Sequence, residues 1–262
     1  SMHTGTGRIV RMQMRPMSLY ESGDSSGQVS LMDLFDGKDI SAVNHDSIEK
    51  IAFLICRGGW PAALNRSDKI ALRQAFDYYD AVVKDDISRV DNLKRNQERT
   101  KRVMRSYARN VATQSSLETI RADVISNDIE TFDKESLYGY LNALKKIFVI
   151  EDSPAWNPNL RSKVAIRTSD TRYFVDPSIA TAALGIGPMD LINNLELMGL
   201  IFENLCIRDL RVYTDVLDGN VYHYRDKSGL ECDAVLHLRN GSYGLIEVKL
   251  GGDKLINEEI GR

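Results

Sequence analysis

No apolar run in this 262-residue chain approaches the ~20 residues a helix needs to cross a bilayer. The opening residues show no charged-then-apolar leader, so the expected compartment is the cytoplasm and no membrane partner is expected. Cysteine is scarce: Cys56, Cys206 and Cys232 are odd in number and follow no metal-ligand spacing. That excludes a disulfide framework and points to reduced, buried thiols. His223 and His237 lack a third soft ligand, which argues against zinc. Net charge is only −3, with 43% hydrophobic residues, so this is neither a disordered chain nor a uniformly basic one. Two glycine-rich stretches also lack what their chemistry would need. Gly5-Thr6-Gly7 has no third glycine and no preceding strand, so it is not a phosphate-cradling loop. Gly23-Asp24-Ser25-Ser26-Gly27 has the look of a protease nucleophile loop but has no His/Asp partners.

What is present concentrates near the end. From Leu230 to Leu238, and again from Tyr243 to Leu250, apolar and polar residues alternate with the period of a strand. Between them Arg239-Asn240-Gly241 is a turn signal. A two-residue Asn240-Gly241 loop would pair Asp233 with Val248 and mix the two faces. A three-residue loop with Gly241 left-handed instead sets Asp233 opposite Glu247, Ala234 opposite Ile246 and Cys232 opposite Val248. A one-residue slip sends every side chain to the wrong face, so the three-residue loop is expected. Facing carboxylates repel by about 0.2–1 kcal/mol on an ordinary sheet, and a divalent cation between them reverses that sign. Lys249 lies two residues along the same face as Glu247. The alternative is a solvated charge cluster on an exposed sheet.

The rest of the chain reads as four units. Residues 1–44 hold one candidate strand, Arg8 to Arg15, and a loop, too little to close a core. Residues 45–97 are helical: Asp46 with Glu49 suggests a capping box, Gly58-Gly59 a stop, and Ser67 to Lys84 a second helix. Residues 98–180 read as three helices and then strands. Ser115 with Glu118 is expected to cap the second helix and Asp133 the third. The third helix leaves Lys145 and Lys146 outside, and Arg161 and Lys163 sit at the tip of the following ribbon. Three helices and a ribbon with a basic tip form the winged-helix pattern, in which these four residues would meet nucleic acid. The basic stretch from Lys94 to Arg109 reads either as a solvated helix face or as a phosphate track. Residues 181–262 open with a helix from about Asp190 to Asp209, on which Glu203 sits beside an apolar stripe. Strands are expected at Val212-Tyr213, Val221 to Tyr224, and along the hairpin.

Several stretches together resemble one family. Asp, then Glu-x-Lys on the adjacent strand, is similar to the PD-(D/E)XK nuclease motif. Gly58-Gly59-Trp60-Pro61, Asp85-Asp86-Ile87-Ser88-Arg89, Tyr173-Phe174-Val175-Asp176-Pro177 and Phe202-Glu203-Asn204-Leu205 join it. The combination resembles the C-terminal half of prokaryotic AAA+-type ATPases that carry a domain of unknown function after the ATPase core. The resemblance implies an α+β chain: the tail of an ATPase core, a helical lid, a winged helix and a PD-(D/E)XK nuclease-like α/β domain, truncated at both ends. It implies Mg²⁺ or Mn²⁺ held by Glu203, Asp233, Glu247 and the Val248 carbonyl, with Asp233, Glu247 and Lys249 catalytic. ATP would bind only to the intact protein, since this chain holds no P-loop. DNA is the implied partner. The alternative is an inactive module that docks DNA or protein for the ATPase.

Overall fold

The computed structural model describes residue 8 and residues 12–91, 93–126, 132–157, 169–226 and 229–251. Helices come first. A short α1 (Leu31–Phe35) precedes α2 (Ile48–Arg57), which Ser47 caps by accepting from the Lys50 N–H. The cap is therefore one residue beyond the expected Asp46. Gly58 ends α2 at φ 72°, a left-handed value that glycine adopts without penalty. Next come α3 (Asp68–Ala81), a π-turn at Val82–Asp86, and α4 (Ile87–Arg89).

The second group of helices is α5 (Gln97–Arg109), α6 (Leu117–Ile125) and α7 (Lys134–Lys146). Asp133 caps α7 as expected, whereas Ser116 rather than Ser115 caps α6. The chain then returns on itself through the antiparallel bridges Ile150↔Phe174 and Ser153↔Thr171. Val164 to Ile166, with the ribbon tip, lies outside the described residues. Asp176 and Pro177 start α8 (Pro177–Leu184), followed by α9 (Pro188–Ile192) and the 22-residue α10 (Leu195–Val216).

Two expectations change here. The helix foreseen from Asp190 to Asp209 is two helices, interrupted at Asn193-Asn194, and the second runs on through Val212-Tyr213. That pair was expected as strand because of its β-propensity. It stays helical because Leu210, Arg211 and Thr214 around it are buried. Residues 12–15 are likewise not in a strand.

Three antiparallel strands complete the fold in the order β1 (Gly219–Arg225), β2 (Glu231–Leu238), β3 (Tyr243–Ile246). The class is α+β, largely helical with one small sheet. Ala155 adds a parallel bridge to His223, joining the ribbon to the edge of β1. One hydrophobic core runs from Ala52 and Ile55 through Tyr107, Leu144 and Phe174 to Met198, Ala234 and Leu236. The segments 45–97, 98–180 and 181–262 thus share a core. Among the described residues no helix is long and apolar enough to cross a membrane.

A buried ion cluster ties these segments together. Arg208 on α10 is 1% exposed and reaches Asp176 at 2.9 Å and Asp209 at 2.7 Å. Asp176 also accepts from the Gly59 N–H (2.8 Å), and Asp209 from the Leu19 N–H (2.9 Å). A Cβ at Gly58 would collide with Asp176 and Ser178, and one at Gly59 with the Met17 backbone. The Gly58-Gly59 corner is therefore needed for close approach as much as for stopping a helix.

Candidate carboxylate site

The hairpin has the register that alternation demanded. Ala234 pairs with Ile246, Val235 with Leu245 and His237 with Tyr243. Leu238 and Ser242 close a loop of Arg239, Asn240 and Gly241, with Gly241 at φ 91°. Continuing that register sets Asp233 against Glu247. The ladder stops at Ile246 because the Asp233 carboxylate itself accepts the Val248 N–H at 2.7 Å. Cys232, expected opposite Val248, turns its thiol to the Ala234 and Ile246 carbonyls. Of the thiols, Cys56 is buried and Cys206 and Cys232 are half-buried; none is bonded to another.

Glu203 approaches from α10. Its Oε1 accepts from the Tyr173 hydroxyl at 2.5 Å, a contact that joins the ribbon to the helix. Burial pushes the Glu203 carboxyl up to about 7; Tyr173 opposes this, and the charges of Asp233 and Glu247 add to it. Burial likewise raises Asp233, against the pull of the Val248 N–H. Lys249 is held above its ordinary value chiefly by its hydrogen bond to Glu247, 2.5 Å away, and both are about half exposed. Lys249 is therefore an ammonium at neutral pH. Glu231 is exposed and faces Arg225 at 3.5 Å, a supporting position.

The four side chains border two cavities. Glu203 and Asp233 line one of about 320 Å³ with Tyr173, Gln114 and His223. Glu247, Val248 and Lys249 line another of about 550 Å³, floored by Phe202 and Leu205. The donor set of Glu203, Asp233, Glu247 and a backbone carbonyl is made of hard oxygens and fits Mg²⁺ in kind. Each carboxylate is nevertheless engaged internally, by Tyr173, Val248 and Lys249 in turn. Among the described residues no group of three or more His, Cys, Asp or Glu side chains stands ready to hold a metal ion. His223 is buried, with Nδ1 2.9 Å from the Ser153 carbonyl, and His237 packs near Trp156 and Tyr222. They form no zinc group.

The residues expected to meet nucleic acid divide. Lys145 is drawn to Asp152 at 2.7 Å, beside Arg172 and Tyr107 on the same carboxylate. Lys146 is exposed. Arg161 and Lys163 lie outside the described residues. Tyr173 was missed as a site residue. Nothing local marks it, because its partner is 30 positions away in sequence.

A long helix feeding a three-stranded meander, with acids at one end of the helix–hairpin contact, defines an α+β protein with a candidate acid cluster. The chain belongs to the family described as Domain of unknown function (DUF8612), which matches residues 48–190, more than half of it. Residues 198–258 match a second family, Domain of unknown function (DUF4143), a stretch that holds Glu203 and the whole hairpin. No curated protein and no solved structure gives a match.

Proposed function

We propose that Glu203, Asp233, Glu247 and Lys249 form a metal-dependent phosphodiester-hydrolysing site of the PD-(D/E)XK kind, in the C-terminal part of an AAA+-type ATPase. The observation that carries this reading is the hairpin register, which pairs Ala234 with Ile246 and leaves Asp233 and Glu247 as the next positions along it, with Glu203 lining the cavity that Asp233 lines. Regions of the DUF4143 kind occur in C-terminal parts of AAA-type ATPases, which supports the parent protein. The three helices and ribbon of residues 97–175 support a winged helix, with Lys146 as an exposed contact to DNA.

Glu203, Asp233, Glu247 and the Val248 carbonyl would hold Mg²⁺ or Mn²⁺. The ion would supply positive charge at the phosphate and a more acidic water. Lys249 enters as a cation, so it would offset phosphate charge and orient the attacking water. Glu203, which burial raises toward neutrality while no ion is bound, would lose its proton on taking up the metal. ATP belongs to the intact protein in this reading, through a P-loop outside this chain.

A second reading makes the same surface a docking module. What favours it is that every carboxylate already has an internal partner. The two readings separate on the full-length protein, by melting with and without Mn²⁺ beside a plasmid-nicking assay. Catalysis predicts stabilisation of roughly 2.7 kcal/mol at a hundredfold excess of free ion over its dissociation constant. Asp233→Asn should remove both the shift and the nicking. Lys249→Ala should remove nicking and keep the shift. Neither shift nor nicking in the wild type leaves the docking module.

A further inference from the structure

Helix α5 carries a basic stripe whose setting differs from that of the expected contact helix α7. Lys101, Arg102, Arg105 and Arg109 recur at helical spacing. They border one cleft of about 570 Å³, closed on other sides by Tyr79, Asp123 and Ala183 from three further helices. The opposite face of α5 is packed solid: Val103, Met104, Tyr107 and Ala108 are fully buried, so the stripe is held on a rigid support. Two carboxylates share the cleft. Glu98 faces Lys101 at 2.8 Å and Asp123 faces Arg109 at 2.9 Å. Lys101, Arg102, Arg105 and Arg109 outnumber Glu98 and Asp123 along the lining of the cleft, on a chain whose net charge is −3. Lys101, Glu98 and Arg109 are well exposed, and such pairs contribute little and yield readily to a competing anion.

We infer that this cleft binds the phosphate backbone of a nucleic acid and guides it toward the carboxylate site. The part concerning guidance rests on the proposed nuclease reading; the binding does not. From Lys101 to Arg109 the helix rises about 12 Å, the axial length of about three to four nucleotides of one strand. Directly after Arg109 the chain becomes the wall of the other cavity. Ala112, Thr113 and Gln114 line it together with Glu203 and Asp233. Basic stripe and acid site are thus consecutive stretches of one chain. On α7, by contrast, Lys145 is committed to the almost fully buried Asp152.

The test is fluorescence anisotropy of labelled single-stranded and duplex DNA with the whole chain, over about 50 to 200 mM salt. Binding should weaken steeply with salt. The double variant Lys101→Gln/Arg105→Gln should bind about tenfold or more weakly at the lowest salt. Its log–log salt slope should be shallower by about 1.4 for a single strand, or about 1.8 for a duplex, which is two lost phosphate contacts. Lys69→Gln/Arg73→Gln on α3, with the same charge change outside the cleft, should stay within about twofold of wild type. Equal losses in the two double variants would overturn the inference, as would a wild type that binds neither DNA at low salt. The Mn²⁺ melting shift reads the carboxylates alone. Its absence beside cleft-dependent DNA binding sinks the nuclease reading and leaves the cleft standing.

Discussion

Helix α10 contributes to two groups of carboxylates, and they are met in opposite ways. At Arg208 one guanidinium meets two carboxylates. A guanidinium sits between Asp176 and Asp209, and the remaining acceptor positions are filled by N–H groups of Gly59, Ser178 and Leu19. Burial opposes the charge of Arg208, yet the two carboxylates hold it above its ordinary value. Within two turns of the same helix, Glu203 joins Asp233 and Glu247, and among the described residues Lys249 is the cation that acts on these acids. Arg208 and Asp176 are fully buried and Asp209 reaches the edge of the cavity that Glu247 and Lys249 line, while Glu203 and Asp233 border the other cavity. A compensated charge in the interior fastens segments together; an uncompensated one beside open space is where a cation or a proton has something to do.

The largest effect should come from breaking the group that Arg208 holds together. Asp176→Ala strips Arg208 of a counter-charge and α8 of its cap, and should cost about 3–5 kcal/mol. Urea unfolding measures it. A loss below about 1 kcal/mol would mean the cluster is not what joins α2, α8 and α10.

The group around Glu203 should respond to pH. Glu203 has its carboxyl raised from 4.5 to about 7, so its contribution is fully present below pH 4.5 and is lost as pH rises through 7. At ~1.4 kcal/mol per unit, the loss amounts to roughly 3 kcal/mol. Glu203→Gln should be the more stable protein at pH 8 and show a flatter profile between pH 5 and 8. Parallel profiles for the two proteins would contradict the burial argument.

The smallest effect sharpens the contrast by removing one compensating bond. Tyr173→Phe deletes the hydroxyl that favours ionised Glu203, worth about 1.5 kcal/mol for a bond to a charged group. The stability transition assigned to Glu203 should move above pH 7, with a greater loss at pH 8 than at pH 5. An unmoved midpoint would show that Tyr173 packs without tuning the acid.

Much of the candidate site was legible before any coordinates. Alternation with a period of two, together with Arg239-Asn240-Gly241, forces the hairpin register, which holds as far as Ala234 and Ile246, one step short of Asp233 and Glu247. Local capping chemistry placed Asp133 correctly and missed by one residue at Ser47 and Ser116, where neighbouring polar residues compete for the same role. The end of α10 was misread because Val212-Tyr213 carries strand-like propensity that buried neighbours override. The partners of Glu203 and Lys145 were invisible, since Tyr173 and Asp152 come from other turns of the chain.

By itself, then, the sequence determined what depends on near neighbours: most of the helices, the glycine corner, and the hairpin with its three-residue loop. Those follow from backbone sterics and side-chain periodicity, which act over a few residues. Only the tertiary structure decided which charges are compensated. It spent Lys145 on Asp152, balanced Asp176 with Arg208, and left Glu203 with a tyrosine and two like charges. Coulomb energy and desolvation depend on distance through space and on burial, and neither is set until α10, the ribbon and the sheet have closed around one core.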